Sequence, residues 1–236
     1  MCGRFALTIH PRLLAELFGL AVTPAEIPAR YNIAPSQPVA AIVAQESGGG
    51  RELRWLRWGL IPHWAKEESI GRKLINARAE TLAQKPAFRE PFRKQRCLIP
   101  ADGFYEWQTA AGGKQPYFIH LLTRETMALA GLWERWMGPG GEAVDSCTIV
   151  TTESNRMIQN IHSRMPVILE RKNYAYWLDR KNQDIEKLRQ LLVPYPAGMM
   201  EMYVVCPRVN NPRYEDPRCA EPKMGSSHWE GNSDDL

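Results

Sequence analysis

The sequence predicts an α+β fold: a mainly antiparallel, curled, barrel-like sheet with several short flanking helices. Three observations carry this expectation. Short apolar or alternating runs recur along the whole chain. Glycine and proline punctuate them, as at Gly48-Gly49-Gly50, Ala111-Gly112-Gly113 and Pro139-Gly140-Gly141. Helical periodicity is confined to brief stretches, so strands outnumber helices.

Taken in order, residues 4–8 read as a strand. Pro11 opens a helix with Leu13, Leu14, Leu17 and Phe18 on one face, stopped at Gly19. Residues 38–45 and 51–58 read as a strand pair. In the second, Leu53 and Trp55 face one way and Leu56 and Trp58 the other, with both tryptophans expected in the core. Residues 59–70 form a polar loop carrying Trp64. Residues 77–84 and 86–94 are expected to be short helices. Strands are expected at 97–99, 103–108, 117–122, 127–136 and 146–151. A short helix at 155–160 precedes a short strand at 167–169. Helices at 174–178 and 184–192 and a strand at 200–205 complete the set. No composition break marks a second unit, so residues 1–222 are expected to form one domain. Residues 223–236, rich in Gly, Ser, Asn and Asp, are expected to be a disordered tail.

Composition narrows the function classes. Apolar residues make up 44% of the 236 residues, which excludes disorder of the whole chain. The longest aliphatic run, residues 39–44, is far short of the roughly 18 residues a spanning helix needs. Arg4, His10, Arg12 and Glu16 break any leader-like apolar stretch near the start, so the expected compartment is the cytoplasm, or the nucleoid in a bacterium. The five cysteines have no CxxC spacing and the five histidines no HxxxH spacing. Free thiols and the absence of a metal or other cofactor are therefore expected. Residues 72–96 carry eight basic residues against two acids, whereas the whole chain nets only +4. Such a patch suits an anionic partner, although a solvated charged helix also explains it.

The chemistry begins at residue 2. If Met1 is removed, Cys2 presents an α-amine and a thiol on adjacent carbons. Their ordinary pKa values, about 8 and 8.5, leave both with a nucleophilic fraction at neutral pH. Such a 1,2-aminothiol can transfer acyl groups, or condense with an aldehyde to a five-membered thiazolidine. Other motifs could serve it. Asn76-Ala77-Arg78 lies in the basic segment. Gly103-Phe104-Tyr105-Glu106-Trp107 sets an acid among aromatics, where burial would raise its pKa for proton transfer. A strand with Glu106 facing solvent is the bland alternative. His162, in His162-Ser163-Arg164-Met165-Pro166, titrates near neutrality, although a lone histidine is often structural. Trp64, beside the basic run, is placed to stack a base of single-stranded nucleic acid.

Six motifs occur in order: Met1-Cys2-Gly3-Arg4, Arg30-Tyr31-Asn32-Ile33-Ala34-Pro35, Gly59-Leu60-Ile61-Pro62, Asn76-Ala77-Arg78-Ala79-Glu80-Thr81, Gly103-Phe104-Tyr105-Glu106-Trp107 and His162-Ser163-Arg164-Met165-Pro166. With them the chain resembles the SOS response-associated peptidase (SRAP) family over about residues 2–220, and Val209-Asn210-Asn211 resembles that family's last motif. The resemblance implies recognition of abasic sites in single-stranded DNA and a covalent thiazolidine link through Cys2. It also implies autoproteolytic release of the preceding residue and leaves a lyase activity open. By motif match Cys2 is the nucleophile, Asn76 positions it or the opened sugar, Glu106 works on the α-amine, and His162 is the acid/base at the deoxyribose. Arg4, Arg78 and Arg164 match phosphate-contacting arginines, and Trp64 more loosely matches a stacking aromatic. No metal or other cofactor, no membrane and a monomeric state are expected. Two other classes stay open from the residues themselves: a thiol peptidase acting on other proteins, and a non-covalent nucleic-acid-binding module that needs no Cys2.

Overall fold

A computed structural model describes residues 2–46, 48–110 and 113–223. The expected turn at Ala111-Gly112, the tail from residue 224 and Met1 lie outside the described residues. The strands are β1 (Phe5–Leu7), β2 (Arg30–Ile33), β3 (Pro38–Ala44), β4 (Arg51–Trp58), β5 (Asn76–Arg78), β6 (Arg96–Ala101), β7 (Gly103–Ala110), β8 (Gly113–Leu121), β9 (Met127–Met137), β10 (Ala143–Glu153), β11 (Arg164–Pro166), β12 (Ile168–Leu169) and β13 (Met200–Val204). The helices are α1 (Pro11–Phe18), α2 (Arg89–Lys94), α3 (Tyr174–Leu178) and α4 (Ile185–Gln190), accompanied by 3-10 turns.

The α+β expectation holds. One sheet runs β13-β8-β7-β1-β2. The other closes on itself through β10, β4, β3, β6 and β9, with β5, β11 and β12 attached. Most pairs are antiparallel, but β10 pairs with β4 and with β5 in parallel. Closure leaves the central strands without free edges. Leu56, Trp58, Leu98, Ile99, Leu129, Ile149 and Val150 are fully buried in the core that results. No helix among the described residues is long and apolar enough to cross a membrane.

Several elements differ from the sequence reading. Residues 77–84 are not a helix. Ala77 and Ala79 are buried while Arg78 and Glu80 are exposed, a period of two that β5 uses to pair with β10 before a 3-10 turn at Ala79–Thr81. Residues 155–160 form no regular helix but a run of turns from residue 156: the buried Asn155 carboxamide accepts from the N–H groups of Met157 and Ile158, both at 3.1 Å, as an N-cap does, and its carbonyl accepts from the Gln159 N–H at 3.0 Å. Trp55 is 45% exposed rather than core, and Leu13 on α1 is 57% exposed, while Leu14, Ala15 and Phe18 carry the buried face. β2 has no counterpart among the expected strands. β6 runs through Pro100, which pairs only with Ala128 of β9 because β3 reaches no further along β6 than Leu98.

Gly103, at the start of β7, shows why this strand can sit so close to its neighbour. A Cβ there would lie 2.3 Å from the Phe118 ring and 2.7 Å from the Ile119 carbonyl oxygen.

Arg96 ties the barrel to its flanking helices. The buried guanidinium donates to the carbonyls of Phe92 (2.7 Å), Arg93 (2.6 Å), Trp177 (2.5 Å) and Asn182 (3.0 Å), and also to that of Asp179. Burial lowers its pKa to about 10, so it stays charged at neutral pH. Replacing it with methionine would leave these carbonyls without their donor. We expect Arg96→Met to lower the unfolding free energy by about 3 kcal/mol in a urea titration.

Candidate functional site

The amino-terminal segment is held along β7. Phe5 pairs with Phe104, and the Tyr105 N–H donates to the Arg4 carbonyl at 3.0 Å, so residues 2–4 continue beside Glu106. Cys2 is fully buried. Its carbonyl accepts from the Asn76 carboxamide at 2.9 Å, and its Sγ lies 3.9 Å from the Arg4 carbonyl. Asn76 is fixed by the parallel pairing of β5 with β10, where it opposes Ile149. Its Oδ1 is buried and has no hydrogen-bond partner among the described residues.

Arg4 anchors the segment. Its guanidinium donates to Asn32 Oδ1 at 2.7 Å and to the Val209 carbonyl at 2.6 Å, and lies 6.0 Å from the Trp107 ring centre. Asn32 is fully buried and donates in turn to the carbonyls of Val209, Asn211 and Tyr214 at 3.2, 3.0 and 2.9 Å. Glu215 accepts from the backbone N–H groups of Tyr31 and Asn32. Asn210 accepts from Trp107 Nε1 at 2.7 Å. The Val209-Asn210-Asn211 motif is therefore a scaffold of carbonyls and amides behind residue 4.

A cavity of about 520 Å³ opens here, lined by Arg4, Glu106, Trp107, Lys114, His162 and Asn210. Glu106 is buried, and burial raises its carboxyl pKa, an effect offset in part by the nearby His162. Burial also pushes the Cys2 thiol well above its ordinary range, and the Glu106 charge adds to this. The resting thiol is thus neutral, and Glu106 is displaced toward the pH at which it can both take and give a proton. His162 follows the Asn155 turns, its N–H donating to the Ile158 carbonyl at 2.9 Å. Its Nδ1 lies 3.0 Å from the Arg164 N–H, which donates to it, and 3.2 Å from the Arg164 carbonyl.

Sequence-predicted residues divide into those gathered at this cavity and those around it. Cys2, Arg4, Asn76, Glu106 and His162 converge. Arg78 is exposed on β5, two residues from Asn76 and so on the same face of that strand. The Arg164 guanidinium is engaged by Glu80, at 2.7 and 3.0 Å, and by the Thr151 carbonyl at 2.6 Å. Trp64 is 51% exposed and lines a separate depression with Lys66, Ser69 and Lys73. Asn32, Lys114, Asn210 and Glu80 were not singled out from sequence as site residues. For Asn32, Asn210 and Glu80 the signal was available, since each lies inside a recurring motif. Lys114 carries none. Among the described residues there is no group of three or more His, Cys, Asp or Glu side chains able to hold a metal ion.

The buried Cys2 thiol lies in the field of the Glu106 carboxyl, and Glu106 and His162 line one cavity beside the barrel. The chain belongs to the SOS response associated peptidase (SRAP) family, which it matches over residues 1–212. It is 46% identical over 224 residues to the abasic site processing protein YoqW of Bacillus subtilis, covering 94% of this chain and 99% of that one. It is 33% identical over 198 residues to the mouse abasic site processing protein HMCES, covering 71% of this chain and 56% of that protein. A crystal structure of a Bacteroides thetaiotaomicron protein superposes with a TM-score of 0.84 at 27% identity, covering 94% of this chain and all of that one.

Glu106 carries an opposition between stability and chemistry. Its folded pKa lies above its unfolded value, so the folded state binds the extra proton and loses stability as pH rises from about 4.5 through the folded pKa. Glutamine has no such penalty. The melting temperature of Glu106→Gln relative to the unsubstituted protein should rise between pH 4.5 and 8, by about 2–4 °C. Thermal melts across that range test it.

Proposed function

We propose that this chain processes abasic sites in single-stranded DNA by capturing the sugar aldehyde covalently through Cys2, once Met1 has been removed. The carrying observation is that Cys2, held by Asn76, lies beside buried Glu106, which lines a cavity together with His162. The names of the relatives, abasic site processing proteins, support the same substrate.

The steps follow from the groups present. An abasic deoxyribose is mostly a closed hemiacetal, and only the open form exposes the C1′ aldehyde. His162 gives a proton to the ring oxygen as the C1′–O bond breaks, and the C1′ hydroxyl proton passes to water, leaving the aldehyde. Glu106 takes a proton from the α-ammonium, and the free amine attacks C1′. An acid gives a proton to the carbinolamine hydroxyl, which leaves as water, and the nitrogen returns a proton to leave the imine. The Cys2 sulfur then bonds to C1′, and the thiol proton passes to nitrogen. One thiazolidine and one water result from aldehyde and aminothiol. The raised thiol pKa supports this order, with nitrogen attacking first and sulfur closing the ring. An imine left open also permits β-elimination at the sugar, so sulfur closure protects the strand. The same thiol stands next in covalent sequence to Met1, and release of Met1 by the chain itself belongs to the proposal. The protein acts in the cytoplasm as a monomer, and Arg4, Arg78 and Arg164 serve the DNA backbone while Trp64 stacks a base.

Intact-protein mass spectrometry after incubation with abasic single-stranded DNA tests the proposal. The expected adduct is protein lacking Met1 plus DNA minus one water. Cys2→Ala should give none, and Cys2→Ser should reduce stable adduct by at least about tenfold, because an oxazolidine closes less favourably than a thiazolidine. Stable adduct from Cys2→Ser at the original level would overturn the scheme. Peptide turnover in trans without any adduct would favour the peptidase reading.

Recognition of a baseless sugar must rest on phosphate and shape. Arg78→Ala should weaken binding to all sequences about equally and reduce the salt slope by about 0.7. Binding titrations at several salt concentrations read both quantities.

A further inference from the structure

We propose that Glu80 is a positioning residue for His162, acting through Arg164. The inference rests on the abasic-site reading and goes beyond it by naming what sets the imidazole. β11, which begins at Arg164, is three residues long and pairs with the end of β10, Arg164 opposing Glu153. So short a strand leaves the orientation of its first residue dependent on a side-chain anchor. The anchor is the guanidinium: Glu80 binds it with two charge-assisted hydrogen bonds, 2.7 and 3.0 Å, and the Thr151 carbonyl with a third at 2.6 Å. Glu80 is itself held, its own carbonyl accepting from the Arg189 guanidinium at 3.3 Å. The Arg164 hydrogen bonds keep the Glu80 carboxyl below its usual range, so the clamp is charged at neutral pH.

What the clamp fixes is the backbone of Arg164, and that backbone faces His162 with both its polar groups. An imidazole with bare Nδ1 accepts from the Arg164 N–H at 3.0 Å. One with a protonated Nδ1 donates to the Arg164 carbonyl at 3.2 Å. Both tautomers therefore have a partner on one residue. Nε2 can give a proton to the ring oxygen and recover one without the ring turning. Losing Glu80 loosens Arg164 and lets this arrangement drift, while Cys2, Asn76 and Glu106 keep their own supports on β1, β5 and β7.

The prediction separates ring opening from capture. The protein lacking Met1 is mixed at saturating concentration with abasic single-stranded DNA, whose sugar must open, or with propanal, which needs no opening. Glu80→Ala should slow adduct formation with the DNA by about tenfold and change the propanal reaction by less than about twofold. In a His162→Ala background the further substitution of Glu80 should add nothing. Glu80→Gln, which keeps the side-chain volume, serves if the alanine variant does not fold, with the same expectation. Equal slowing with both probes, or a full additional loss in the His162→Ala background, would overturn the inference. No adduct from the unsubstituted protein with the DNA, alongside a normal propanal adduct, would instead defeat the abasic-site reading and this inference with it.

Discussion

The position of Cys2 depends on how Arg4 is held. Two residues beyond the last paired strand position would ordinarily fray, since a chain end loses little by moving. Here the guanidinium of Arg4 reaches across the site to Asn32 and Val209, and the Asn32 carboxamide shares its two protons among three carbonyls of the 209–214 segment. A buried amide and a half-buried cation are costly unless satisfied, and here they satisfy each other. Remove either and the other is left with an unmet donor or acceptor two residues from Cys2. Burial, hydrogen bonding and the raised pKa values of Cys2 and Glu106 all presuppose this joint.

The second organising element is β10. Near its end it carries β5 on one side and β11 on the other, so Thr151 opposes both Arg78 and Pro166. One strand thereby sets the spacing between the amide that grips Cys2 and the segment that carries the imidazole. The parallel β10–β5 pairing, one of two parallel pairings in a mostly antiparallel sheet, is what brings residue 76 to residue 2.

Much of this was legible in the sequence. Alternation and turn chemistry located the long strands, and the capped periodicity of α1 was clear down to its stop at Gly19, which adopts the left-handed conformation expected of a helix C-cap. Local periodicity failed where tertiary pairing took over. Residues 77–84 read as a helix, but β10 recruits residues 76–78 as a strand. Residues 155–160 look helical and are capped like a helix by Asn155, but they stay a run of turns. β2 is only four residues and polar at its start, and its stability comes from Glu215, far away in sequence. Motif order pointed to Cys2, Asn76, Glu106 and His162, which the fold gathers. It could not show that Arg164 is already engaged by Glu80, because an ion pair between two motifs leaves no pattern in either one.

The seam between residue 4 and the 209–214 segment also bears on the timing of synthesis. The groups of that segment that hold Arg4 in place are made some 205 residues after it. Until they emerge, residue 2 has its own strand neighbours at best and no Arg4 anchor, so it remains accessible to solvent and to any processing enzyme. Exposure of residue 2 and closure of the fold around it are thereby ordered in time by nothing more than position along the chain.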